Sequence, residues 1–237
     1  MRVYTTDFVA GAASARGIAI IIDVFRAFSV AAHAFARGVE TIVPTASIDD
    51  ARLIKRENPD WLLIGERHGR PLPGFDCGNS PTELERFDLQ GRTLIHTTHA
   101  GTQGLAAAVG AHETLTGALV NAQAIVNYVL AQNPSHVTLV RMGQNAHERC
   151  QEDDLCADIL ARRLAGERPD VRGVREQLRA APSARKFFDP ECDWAPERDF
   201  ELCTQVDEFD FVLRLERDGT HPRLTRVRRL AGEALSG

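Results

Sequence analysis

Ile18-Ala19-Ile20-Ile21-Ile22-Asp23 is the stretch on which the fold turns. Five consecutive apolar residues, four of them isoleucine, have no polar face, so they read as a strand buried on both sides, as in a parallel sheet. The strand ends at Asp23. A helix is expected over 26–37, because Val30, Ala34 and Phe35 recur at helical spacing and Gly38 is a suitable stop. The same rhythm continues outward: a strand at 41–43, a helix at 48–57, and a strand at 61–64 leading into a Gly/Pro-rich loop over 65–81. Ser80-Pro81-Thr82-Glu83 then has the form of a capping box with proline at the first helical position. Further along come a strand at 93–95, a loop over 97–104, a helix at 105–109, a helix at 121–131, a strand at 137–140 and a helix at 153–164. Residues 166–199 are polar and proline-containing, and read as short helices and connections around the fold. Phe209, Phe211, Leu213 and Leu215 alternate as a late strand would. Strands alternating with amphipathic helices imply an α/β protein with a layered α/β/α sheet, and one domain is the expected count.

Composition narrows the function. The chain has 237 residues, and 28 Lys and Arg against 33 Asp and Glu give a net charge of −5, which leaves no basic footprint for nucleic acid. Only Lys55 and Lys186 are lysines, so arginine carries nearly all the positive charge, which reads mainly as codon bias. Five cysteines without a CxxC pair suggest reduced thiols in a cytoplasmic protein. Residues 1–7 lack the apolar run of a signal peptide, and the run at 18–22 is far too short to span a bilayer. The expected partner is therefore a small molecule, not nucleic acid or membrane. A homodimer is compatible with this reading, since soluble enzymes often form them.

In open α/β sheets ligands gather beyond the C-terminal ends of the strands. Four groups of polar residues fall there: Asp23 and Arg26; Glu66, Arg67 and His68, with Asp76, Asn79 and Ser80 on the same loop; His96, Thr97, Thr98, His99, Gly101 and Thr102; and Arg141, Gln144 and Asn145 ahead of Glu152, Asp153 and Asp154. Carboxylates from separate loops suit Mg²⁺, arginines suit phosphate or carboxylate oxygens, and a Thr/Gly turn before a helix offers N–H groups to an anion. Together these are the working parts of phosphoryl transfer. Each has a plainer alternative. Asp23 can cap a helix, Arg26 can pair with it, and Glu66-Arg67 can be a surface ion pair. Asp76 can brace its own loop, Glu152-Asp153-Asp154 can serve a helix N-terminus, and Cys77 can simply fill space. His68, His96 and His99 raise zinc hydrolysis as a further reading, without a standard zinc spacing. A phosphate-binding P-loop, a Gly-x-Ser-x-Gly elbow, the paired aspartates of haloacid-type phosphatases and the arginine of a tyrosine-phosphatase loop are all missing. With no nucleophile motif, direct attack by water at a metal is the expected mechanism.

Taken in order, Ile22-Asp23-Val24-Phe25-Arg26-Ala27, Gly65-Glu66-Arg67, Gly74-Phe75-Asp76-Cys77-Gly78-Asn79-Ser80-Pro81, Thr97-Thr98-His99-Ala100-Gly101-Thr102, Asn121-Ala122 and Glu152-Asp153 resemble the 2-phosphosulfolactate phosphatase (ComB) family. The segment from Leu202-Cys203 to Asp207-Glu208-Phe209-Asp210 is similar to that family's C-terminal signature. The resemblance implies a ComB-like α/β fold and a Mg²⁺-dependent phosphatase converting 2-phosphosulfolactate to 3-sulfolactate, on the route to coenzyme M. By matching motif it also implies the site positions, His99 apart, and the chemistry of the side chains suggests their roles. Asp23, Arg26, Glu66 and Arg67 are the catalytic candidates, and Asn79, Ser80, Thr98, His99, Gly101 and Thr102 the substrate-binding ones. Asp23, Glu66, Asp76, Glu152 and Asp153 are the candidates for the metal. The family pattern differs here at Phe28, His68 and His99, which motivates a second expectation: a non-catalytic anion-binding or regulatory member of the same fold.

Overall fold

The computed structural model describes residues 1–228. Its strands are β1 (Arg2–Asp7), β2 (Ile18–Ile22), β3 (Thr41–Pro44), β4 (Leu62–Arg67), β5 (Arg70–Pro71), β6 (Thr93–Thr97), β7 (Glu113–Gly117), β8 (His136–Arg141), β9 (Phe211–Glu216) and β10 (Arg223–Arg228). Its helices are α1 (Phe8–Ser14), α2 (Ala27–Ala36), α3 (Ile48–Glu57), α4 (Pro81–Leu84), α5 (Gly101–Ala107), α6 (Ala122–Gln132), α7 (Gln151–Leu164), α8 (Val174–Arg179) and α9 (Glu197–Cys203), with 3-10 turns at Leu119–Asn121 and Pro182–Phe187.

β2 is buried along its whole length, and its period of two divides the core. Ile18, Ile20 and Ile22 pack with Ile125 and Val129 of α6 and Ile159 and Leu160 of α7. Ala19 and Ile21 face the other side, toward Ala12 of α1, Val30 and Ala31 of α2 and Leu105 of α5. Helices thus cover both faces of the strand, as its composition demands, and the protein is α/β.

The ten strands run in the order β1-β8-β2-β7-β9-β10-β3-β6-β4-β5. Two parallel ladders, β1-β8-β2-β7 and β3-β6-β4, are joined through the antiparallel β9–β10 hairpin. The hairpin is bridged to each ladder at one residue pair, Leu115↔Arg214 and Leu224↔Ile42. β2 and β4 lie six places apart in this order, which in a flat sheet would part them by about 29 Å at ~4.8 Å per strand. Asp23 and Glu66, at the ends of those two strands, nevertheless line one cavity. Three antiparallel pairings (β7 with β9, β9 with β10, β10 with β3) reverse one ladder against the other, and residues that follow the ends of both ladders still reach the same cavity.

Several elements differ from the sequence reading. β1, β7 and β10 were not expected. β1 and β7 are threonine-rich, with Thr114 and Thr116 buried, so neither carries the apolar run that marks β2. The helix expected at 105–109 starts instead at Gly101, because Thr98 and Thr102 cap the turn reciprocally: each backbone N–H donates to the other's hydroxyl, at 3.0 and 3.1 Å. The strand expected at 61–64 runs on to Arg67, with Gly65 at φ 146°; a Cβ there would lie 2.0 Å from the Thr97 carbonyl oxygen. Half of the expected capping box forms at α4: the Ser80 hydroxyl accepts from the Glu83 N–H, while the Glu83 carboxylate accepts from the Gly78 N–H instead of the Ser80 N–H. Among the described residues, no helix is long and apolar enough to cross a membrane.

Candidate active site

The ends of β2, β4, β6 and β8 and the 3-10 turn Pro182–Phe187 enclose a cavity of about 240 Å³, near the lower end of small-molecule sites. Asp23 sits at its base. One carboxylate oxygen accepts from the Ala27 N–H at the start of α2, and Gly101 packs so closely that a Cβ there would lie 2.8 Å from the other oxygen. Asp23 therefore caps α2 and also faces the cavity. Burial, then the charge of Glu66, pushes its carboxyl up to about 7. Glu66 is held by two backbone donors, Gly69 N–H and His99 N–H, both at 2.7 Å. Asp153 uses both oxygens to tie the end of β2 to the end of β8, accepting from Val24 N–H at 2.9 Å and Gly143 N–H at 2.8 Å. Its carboxyl lies well above the ordinary range through burial and then the neighbouring charges of Asp23 and Glu152.

Asn79 reaches the cavity with its amide fixed from behind. Its carbonyl oxygen lies 3.0 Å from His96 Nε2, so His96 donates there and the Asn79 amino group is turned to the cavity. Burial and then the Arg67 charge bring His96 down to about 4, so it stays neutral when folded. Between pH 6.5 and 4 the unfolded chain binds a proton at this position that the folded chain does not, so stability falls as pH drops through that window. The loss should approach ~3 kcal/mol at pH 4. Denaturant titrations of wild type and His96→Gln at pH 7.5 and 4.5 check this, because Gln can still donate to Asn79 but does not titrate. The gap between the two proteins should narrow or reverse at the lower pH, whereas a constant gap removes His96 as the cause.

Arg26 lines the cavity yet is 3% exposed. Nη1 meets Asp199 at 2.7 Å and the Trp194 carbonyl at 2.9 Å, and Nη2 meets the Gly69 carbonyl at 3.1 Å. The same Asp199 accepts from the Ser80 hydroxyl and the Thr82 N–H. This one carboxylate thus joins the site arginine to the loop before α4. The segment 166–199 supplies a wall of the cavity through Pro182, Ser183, Lys186 and Trp194. The Ser183 hydroxyl donates to Glu152.

Of the residues singled out from sequence, the cavity gathers Asp23, Arg26, Glu66, His68, Asn79, His99, Gln144, Asn145, Glu152 and Asp153. The others are placed elsewhere. Arg67 turns away and donates to the Glu66 and Ala46 carbonyls and the Thr97 hydroxyl, so it does not line the cavity. Asp76 accepts from Leu63 N–H and pairs with Lys55 at 3.1 Å, bracing its own loop instead of joining the carboxylates. Ser80, Thr98 and Thr102 are taken up by capping, and Gly101 serves by its smallness. His96 bonds Asn79 while His68 and His99 meet edge to face on the cavity wall, their ring centres 4.4 Å apart; among the described residues no group of three or more His, Cys, Asp or Glu is arranged to hold a metal. Phe28 is core, not cavity lining. Missed from sequence were Lys186, Trp194, Ser183 and Asp199. The scarcity of lysine was the one signal that pointed at Lys186.

This geometry can be set beside known proteins. The family model described as 2-phosphosulpholactate phosphatase matches residues 4–218. The chain belongs to the 2-phosphosulfolactate phosphatase family. It is 32% identical over 217 residues to the probable 2-phosphosulfolactate phosphatase of Bacillus subtilis (strain 168), covering 89% of this chain and 92% of that one. It is 37% identical over 179 residues to the protein of the same description from Synechococcus sp. (strain CC9605), covering 73% of each. With the one from Thermotoga petrophila it shares 31% over 206 residues, covering 82% of this chain and 87% of the relative. The stretch matched to the 2-phosphosulfolactate phosphatase family, a family of phosphoric monoester hydrolases, takes in every residue lining the cavity.

Proposed function

We propose that this protein is a Mg²⁺-dependent phosphatase that hydrolyses a small phosphorylated hydroxy acid bearing a second anion. In the family's named reaction this would be 2-phosphosulfolactate to 3-sulfolactate and phosphate. The observation that carries the reading is the meeting of Asp23 and Glu66 with Arg26 in one small buried cavity.

A divalent cation suits part of the carboxylate set. Mg²⁺ characteristically takes one or two carboxylates and completes its shell with waters and substrate oxygens. Asp23 and Glu66 fit that pattern, because the raised Asp23 carboxyl comes in part from the Glu66 charge, which a cation would offset. Asp153 is committed to Val24 and Gly143, and Glu152 accepts from Ser183. Asp76 lies outside the cavity. Mg²⁺, when bound, supplies positive charge against the phosphoryl oxygens.

The remaining roles belong to side chains. Arg26 has donors left over from its buried bonds for a phosphoryl oxygen, and Asn79 offers its amino group. Asp23 can also act as a proton acceptor: as the water oxygen bonds to phosphorus and the P–O ester bond breaks, its carboxylate takes the water's proton. The proton held by Asp23 then passes, directly or through water, to the released alkoxide, which leaves as the hydroxy acid beside inorganic phosphate and restores the carboxylate. Glu66 keeps its place through the Gly69 and His99 N–H groups.

Phosphate release with and without Mg²⁺ tests the reading on 2-phosphosulfolactate, phospholactate, phosphoglycerates and an aryl phosphate. Mg²⁺-dependent release from one hydroxy-acid phosphate is the expected result. A folded protein that binds these anions but cleaves none of them would instead be a non-catalytic member of the fold.

A further inference from the structure

We propose that Lys186 grips the phosphoryl group of the substrate together with Arg26, an assignment that rests on the phosphatase reading and gives the site a second cation. Lys186 lies on the 3-10 turn Pro182–Phe187 and lines the same cavity as Asp23, Glu66 and Arg26. An ammonium carries three donors. Among the described residues this one makes a single hydrogen bond, 3.5 Å to the Phe25 carbonyl, and no ion pair. Arg26 is the contrast, since Asp199 answers its charge at 2.7 Å. Among the described residues, the cavity therefore holds one cation in a close ion pair and one that has carboxylates around it but none in contact, its donors largely unused.

The surroundings favour an anion there. Lys186 Nζ lies 5.1 Å from the centre of the Phe187 ring and 6.0 Å from that of Phe25. Arg26 Cζ lies 5.9 Å from the same Phe187 ring, so the two cations flank one aromatic wall. Rings in place of water leave the ammonium weakly solvated, which strengthens its pull on a charged ligand. Burial and then the nearby Arg26 hold its pKa below the usual lysine value, while Glu152, Asp23 and Glu66 act in the opposite direction. Lys186 thus lines the same cavity as Asp23 and Glu66, the carboxylates assigned to the phosphoryl chemistry. This location points to the phosphoryl oxygens, not to the second acid group at the far end of the substrate. A phosphoryl group spreads charge over three oxygens, and two cations on one side of it can share that charge through the transition state.

Lys186→Met keeps the length of the side chain between Phe25 and Phe187 and removes the charge. It should lower kcat by roughly 10²-fold on every ester the wild type cleaves, the aryl phosphate included. By calorimetry it should weaken inorganic phosphate by about tenfold or more. Lys186→Arg, which restores charge, should recover most of the phosphate affinity. A loss confined to esters with a second acid group would move Lys186 to the other end of the substrate and overturn the assignment. Unchanged phosphate affinity in the Met variant, or equal losses in the Met and Arg variants, would overturn it as well. The phosphate titration needs no turnover, so it still decides the role of Lys186 if the wild type cleaves nothing in the panel; that failure would count separately, against the phosphatase reading.

Discussion

Asp23→Asn should lower turnover by roughly 10³-fold or more while leaving the fold intact. The two halves of this expectation have separate causes. Asn retains a carbonyl oxygen for the Ala27 N–H, so the cap at the start of α2 survives, and its size matches the space left by Gly101. It brings no charge to desolvate beside Glu66 and Asp153, so the variant should melt at or above the wild-type temperature. What it loses is the proton acceptor and one of the two carboxylates assigned to the cation. Initial rates at saturating Mg²⁺, paired with thermal melts, measure both halves. Retained turnover would take Asp23 out of the chemistry and leave it as a helix cap. Lost turnover with a lowered melting temperature would make its role structural.

The second large effect is on stability. Asp199→Ala should cost about 3–5 kcal/mol, because it leaves the Arg26 guanidinium buried without its counter-charge. Arg26 is 3% and Asp199 0% exposed, so water cannot take over the lost contact. The Ser80 hydroxyl and Thr82 N–H lose their acceptor as well. For a chain of this length the melting temperature should fall on the order of 10 °C. The pairing itself is tested by Arg26→Met/Asp199→Leu. Replacing both charges by apolar groups removes the uncompensated charge, so the double variant should regain much of the stability and still lack activity. If the double variant is less stable than the single, the main contribution of Asp199 is its bonds to Ser80 and Thr82, not the ion pair.

Local chemistry was enough for much of this molecule. Ile18–Ile22 could only be a strand covered on both faces, and Ser80 with Glu83 could only open a helix. Ser47, Asp49 and Asp50 at the start of α3 and Lys55 and Arg56 at its end give that helix favourable charges at both termini, and its expected bounds match the observed ones. The motif order placed Asp23, Glu66, Asn79 and Asp153 near strand ends, and they do meet. These features depend on residues within a few positions of one another, where periodicity and capping act.

What the chain could not state locally is which strand end faces which. An open sheet with one ligand-bearing edge was the natural reading, yet the β9–β10 hairpin inserts between two parallel ladders and residues from the ends of both ladders line the one cavity. Arg67 and Asp76 sit within the right motifs, but their side chains point at the Ala46 carbonyl and at Lys55, a choice made by the path of the loop after β4. Asp199 and Lys186 lie more than a hundred residues from Arg26 and Asp23, in a polar segment without periodicity, and nothing near them in sequence marks them as site residues. Sequence alone therefore determined the fold class, through apolar period and capping that act over a few residues, and the family, through the order of its motifs. Tertiary structure alone decided which charges are spent on one another and which are left facing the cavity, because that depends on distances set by long-range packing.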